Sequence, residues 1–134
     1  MSLFLFLIMS LVFGSSVQAL PCRAPIDLQV KQQNIPILLY HHISVLPAHA
    51  SKSLRRWTLS PETFDDQMDW VKTHGFHTIT MDQLFEHMTH GLSLPPNPIV
   101  ISFDDGLKDH YERAYPELKK LHFVATFFII GLFF

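Results

Sequence analysis

Ile99-Val100-Ile101-Ser102-Phe103-Asp104-Asp105-Gly106 is the stretch on which the fold turns. Its first five residues give the strongest strand signal in the chain. Two carboxylates and a glycine follow at once. In parallel α/β proteins, reactive groups collect at the C-terminal ends of strands. Two unscreened carboxylates this close repel, and one tends to hold a proton. A divalent cation beside them removes that conflict. One Asp can then ligate the metal while its neighbour, pointing elsewhere, serves as a base. Gly106 lets the backbone turn sharply next to the site. An ordinary Asp-Gly turn after a strand is the plain alternative.

Working outward, Pro95, Pro96 and Pro98 form a stiff linker into that strand. Before them, Thr80-Met81-Asp82-Gln83 predicts a capping box. Leu84, Phe85 and Met88 predict an apolar helix face, closed by Gly91. Residues 76–80 predict a short strand. Ser60-Pro61-Glu62 opens a further helix, with Ser60 as cap and Pro61 in the first position. Phe64, Met68 and Val71 make its apolar face, and Gly75 ends it. Residues 41–59 lose all periodicity and read as one long loop with a basic cluster, Lys52, Arg55 and Arg56. Ile35-Pro36-Ile37-Leu38-Leu39-Tyr40 is a continuous apolar run, which predicts a strand buried on both faces. Downstream, a helix is expected over about 109–121, broken or restarted at Pro116, and a strand over 123–130. The order strand, helix, strand, helix, strand, helix, strand argues for parallel pairing with right-handed crossovers.

The chain has 134 residues, room for one small domain. An apolar fraction of 48% is enough to build a core, and disorder is not expected. A net charge of −2 argues against a nucleic-acid surface or a polybasic membrane patch. Residues 3–13 are apolar apart from Ser10, and Val17-Gln18-Ala19 offers small residues at the positions a cleavage site needs. The expectation is a signal peptide over 1–19, a leader segment over 20–34 and the folded domain over 35–134. The apolar run is too short to span a bilayer, so stable membrane insertion is not expected. The product would be secreted, periplasmic or extracellular. Its single cysteine, Cys22, has no internal partner and is expected to be a free thiol.

Tyr40-His41-His42 ends the first predicted strand. With parallel strands, that end shares a rim with Asp104. A histidine there can be a metal ligand or a general acid, or simply hydrogen-bond a loop. His87 and His90 stand three apart on a helix and could chelate a metal, but a solvated helical face is the plainer reading.

Several stretches in order now become specific. They are Leu39-Tyr40-His41-His42-Ile43, then Phe64 with Met68 ahead of Gly75-Phe76, and Pro95. After these come residues 100–106, Tyr115-Pro116-Glu117-Leu118 and Ala125-Thr126-Phe127-Phe128. Together they resemble the polysaccharide deacetylase family, also called NodB-homology or carbohydrate esterase 4. The likeness leans to the branch acting on extracellular poly-N-acetylglucosamine. Ser102 stands where the family usually has Thr. The resemblance implies the N-terminal part of a distorted (β/α) barrel with parallel strands, truncated here. It implies Asp104 as general base, Asp105 as metal ligand and His41 as general acid, with His42 the adjacent alternative. The implied cofactor is a divalent metal, Zn²⁺ or similar. The implied substrate is an N-acetylglucosamine-containing polysaccharide, with no nucleic acid.

The chain departs from the family after Gly106. The family completes its metal site with a downstream His-[Ser/Thr]-x-x-His pattern. The histidines here, His110 and His122, do not have that spacing. The expectation is therefore that the 134-residue chain is inactive alone. Two other functions compete. One is a non-catalytic exported carbohydrate-binding remnant of the same fold. The other is a Mg²⁺-dependent phosphoryl-transfer protein, against which the signal peptide argues.

Overall fold

A computed structural model describes residues 34–131. The expected signal peptide, almost all of the leader, and Cys22 lie outside the described residues. The element order is β1 (Ile37–Tyr40), β2 (His42–Ile43), α1 (Lys52–Trp57), β3 (Thr58–Leu59), α2 (Pro61–Thr73), β4 (His77–Ile79), α3 (Met81–His90) and β5 (Pro98–Phe103). A π-helical segment (His110–Ala114), α4 (Tyr115–Leu121) and β6 (Thr126–Phe127) follow.

β5 is the axis of the sheet. Its residues from Ile99 to Phe103 are all buried. β1 runs parallel along one side, in register from Ile37 opposite Val100 to Tyr40 opposite Phe103. The other side is shared. β4 pairs with the first half of β5, and β6 with Ser102 and Phe103 at its end. Every pairing in this sheet is parallel, so its four strands point their C-terminal ends at one rim. The register then fixes the site: Tyr40 and Phe103 are level, and the Asp104 amide donates to the Tyr40 carbonyl at 3.0 Å. Ser102 sits inside the sheet and donates from its hydroxyl to the Leu38 carbonyl at 3.1 Å. Its polar atom is thereby satisfied at a nearly closed position.

α2 forms as its sequence dictates. The Ser60 hydroxyl accepts from the Thr63 amide, Pro61 occupies the first turn, and Gly75 follows the helix end at φ +72°. Phe64, Met68 and Val71 are fully buried. Phe64 meets Tyr40 edge-on, and Phe103 lies against both rings. This aromatic cluster, with Met68, Ile43 and Ile101, is the core beneath the rim. Fully burying such side chains contributes about 1.5–3 kcal/mol each.

Four expectations need correction. β1 is not buried on both faces: Ile37 and Leu39 are 47% and 56% exposed, while Leu38 and Tyr40 face the core. Continuity of apolar residues could not reveal that only one face of β1 meets a packed layer among the described residues. α3 carries the expected capping box and the αL glycine at Gly91, yet none of its residues is buried, and Phe85 and Met88 stay largely exposed. The supposed long loop contains β2, α1 and β3, with β2 and β3 paired in parallel. These pieces are too short for periodicity to show. The strand expected over 123–130 shrinks to two residues in β6.

The helix after β5 does restart near Pro116, and the reason is visible. Pro116 has no amide hydrogen, so the regular ladder fails there. The backbone widens into a π segment, in which the Tyr115 amide reaches back to the His110 carbonyl, and α4 begins. Such bulges are frequent at functional sites.

Candidate active site

The rim is built from the ends of β1 and β5. His41 lies between β1 and β2, and Asp104 follows β5 directly. His41 Nε2 stands 3.9 Å from Asp104 Oδ2, and both side chains remain partly open to solvent. That distance is too long for a hydrogen bond and short enough for a small reacting group to touch both.

Asp105 turns away. Its backbone is left-handed at φ +76°, and Gly106 follows at φ +64°. Left-handed backbone in a non-glycine residue is uncommon and strained, and such strain gathers at functional sites. At Gly106 a side chain has no room: a Cβ would meet the Ile129 side chain at 3.1 Å. The two carboxylates thus diverge, Asp104 toward His41 and Asp105 toward an open cleft of about 400 Å³. His41, His42, Leu54 and Trp57 line the same cleft.

His42 has a different partner. Its Nδ1 pairs with Asp109 Oδ2 at 2.9 Å. Behind it, the buried His110 hydrogen-bonds through Nε2 to the His41 carbonyl. Asp109 Oδ1 and His110 Nδ1 are both buried without a hydrogen-bond partner, although Asp109 Oδ1 stands 3.8 Å from His110 Nε2. Sequence reasoning missed Asp109 and His110 as part of the site. The available signal was their place one turn beyond Asp-Asp-Gly. Trp57 was missed as well, because α1 was not foreseen. It packs against His41 with ring centroids 4.6 Å apart. His87 and His90 do not converge: His87 bonds the Leu92 carbonyl, and His90 pairs with Glu86 at 2.8 Å.

The core beneath adds one perturbed group. Tyr40 donates to Gln67 Oε1 at 2.7 Å, and burial pushes its phenol up to about 12. Among the described residues no three His, Cys, Asp or Glu side chains come together to hold a metal ion. Asp105 and His41 face one cleft, but a closed divalent site needs more donors than these. The described donor set does not fit a metal by itself.

Residues 92–133 match the family described as Polysaccharide deacetylase. A protein of Bacillus subtilis assigned to the polysaccharide deacetylases, YxkH, is 36% identical over 101 residues, spanning 75% of this chain and 33% of that protein. The chain is a relative of the polysaccharide deacetylases. A poly-β-1,6-N-acetyl-D-glucosamine N-deacetylase of Staphylococcus aureus is 28% identical over 97% of this chain and 47% of its own length. Among solved structures, the Streptococcus pyogenes deacetylase PplD, in complex with acetate, superposes with a TM-score of 0.60 at 29% identity, covering 72% of this chain and 42% of that one. IcaB from Ammonifex degensii gives 0.58 at 27% identity, covering 71% and 37%. This deacetylase relative therefore spans between a third and about half of the curated proteins it matches. In this chain the Asp-Asp-Gly turn follows the central strand of the α/β arc that resembles those structures.

Proposed function

We propose that this chain serves the hydrolysis of N-acetyl groups on a glucosamine-containing polysaccharide. The observation that carries the proposal is the pair His41 and Asp104, 3.9 Å apart on a strand-end rim, with Asp105 turned into the adjoining cleft. The names of the relatives supply the substrate class. Asp104 takes a proton from the attacking water, whose oxygen bonds to the amide carbonyl carbon. Collapse of the tetrahedral intermediate breaks the C–N bond, and His41 protonates the departing amine. Acetate and a free glucosamine amine result. His41 is favoured over His42 because His42 is engaged with Asp109.

Dependence on a divalent cation, Zn²⁺ or similar, belongs to the same proposal, with Asp105 as one ligand. Its other donors would come from outside the described residues, so no step above runs through the metal. Export to the cell surface or periplasm also belongs to it, resting on the leader sequence. The 134-residue chain alone is expected to release no acetate.

The test begins with the coding DNA past codon 134, read in all three frames. A His-[Ser/Thr]-x-x-His pattern some tens of codons on is expected. The protein that includes it should release acetate from N-acetylglucosamine oligomers, and lose this on Asp104→Asn or with a chelator. If no frame contains the pattern, the second reading takes over, that of a non-catalytic carbohydrate-binding remnant. The exposed indole of Trp57, in the wall of the same cleft, is what favours that alternative.

A further inference from the structure

We propose that Trp57, presented by α1, is a stacking platform for the sugar chain. The proposal rests on the deacetylase reading for the identity of the sugar, but not for the existence of the platform.

Trp57 is 47% exposed although it is one of the largest apolar side chains on the molecule. With His41 and His42, it lines two clefts. One, of about 400 Å³, has Asp105 in its wall, and the other, of about 370 Å³, reaches Gln67. His41 lines both clefts. These volumes fall within the range of ligand-binding clefts. Two clefts that share Trp57 in their walls suit an extended oligomer better than a single sugar. A pyranose with equatorial substituents presents an apolar face of C–H groups edged by hydroxyls. An indole matches that face, being broad, rigid and apolar with one polar tip. Leu54 adds apolar surface beside it, and the Asp105 carboxylate can accept from a sugar hydroxyl.

The platform is held ready. Arg55 ties the preceding loop by donating to the Ala48 and Ala50 carbonyls at 3.0 and 3.2 Å. Ser51 caps α1, and Thr58 closes it by donating to the Leu54 carbonyl at 2.7 Å. Preorganisation of this kind lowers the cost of binding. The Arg56 guanidinium lies 5.6 Å from the indole centroid and is exposed. A neutral sugar needs no cation there.

The chain has two tryptophans, so Trp70→Phe leaves Trp57 as the sole indole emitter. Titrating that variant with β-1,6-linked N-acetylglucosamine oligomers should give a saturable change in emission, with affinity rising from monomer to pentamer. By calorimetry on the 134-residue chain, Trp57→Ala should weaken pentamer binding about tenfold, a loss of about 1.4 kcal/mol. Trp57→Phe, which keeps an aromatic face, should retain most of it, and Arg56→Ala, which removes a charged side chain lining the second cleft, should cost clearly less than Trp57→Ala. An unchanged affinity in Trp57→Ala overturns the platform, as does a silent emission titration. Equal losses in Trp57→Ala and Arg56→Ala overturn it too, because they indicate an anionic ligand. The two readings separate cleanly. Acetate release with the same KM in Trp57→Ala would sink the platform alone. In a longer protein that carries the His-[Ser/Thr]-x-x-His pattern, Trp57-dependent sugar binding without any acetate release would sink the deacetylase reading alone.

Discussion

Asp104 and His41 are brought together by the backbone before their side chains meet. The Asp104 amide donates to the carbonyl of Tyr40, the residue just before His41, at 3.0 Å. This bond continues the parallel ladder of β1 and β5 by one step beyond their last pair, Tyr40 and Phe103. The separation of 3.9 Å between the side chains therefore follows from strand register and not from loop conformation.

The two rim histidines should separate in kinetics. In an acetate-releasing protein that includes these residues, His41→Gln is expected to lower kcat by about 10²–10⁴-fold, the usual worth of a general acid or base. His42→Gln should cost much less in kcat. Comparing the two kcat values checks this, and a larger loss in His42→Gln would reverse the assignment.

Tyr40 gives a pH dependence with a definite sign. Its folded value of about 12 lies above the ordinary 10.0, so folding favours the neutral phenol. The stability this contributes is whole below the ordinary value and is lost as pH rises through the folded one. Denaturant unfolding should show stability falling between about pH 10 and about pH 12. Tyr40→Phe should lose about 1 kcal/mol near neutrality, for the bond to Gln67, and show a shallower alkaline decline.

Gly106→Ala should destabilise the Asp-Asp-Gly turn. The left-handed backbone costs a side chain about 1–2 kcal/mol, and the new Cβ would also press on Ile129 at 3.1 Å. The urea midpoint should fall with an unchanged slope. An unchanged midpoint would show that the turn can relax.

Phe64→Ala should be the harshest of these changes, at about 3–5 kcal/mol. It empties the place where α2 meets Tyr40 and Phe103. Ser60→Ala, at the same helix's start, should cost only about 1 kcal/mol. Paired denaturation curves test the ratio.

The sequence was most legible where side chains speak through local rules. Ser60-Pro61, the Thr80–Gln83 box and Gly91 each announce a helix boundary by hydrogen-bond chemistry that needs no partner elsewhere. Asp104 was legible because a strand end followed by acids is a local signal. What could not be read depends on distant packing. Leu39 and Phe85 look like core residues, and no pattern along the chain tells which apolar face meets a neighbouring layer. Trp57 and Asp109 enter the site only because β2 pairs with β3 and His42 turns toward the π segment. Those are contacts between residues far apart in sequence.

The short pairing of β2 with β3 has a consequence for how such a site can change. The Ser44 amide donates to the Leu59 carbonyl at 3.0 Å, drawing the segment between them closed at its base. Almost every polar bond within that segment is made to itself, through Ser51, Arg55 and Thr58. It is anchored by Leu59 against the core and by Trp57 against His41. Its length and sequence can drift while His41 and Asp104 stay fixed by β1 and β5. On the proposed reading, the sugar platform and the proton-transfer pair stand on separate pieces of chain that touch where Trp57 packs against His41.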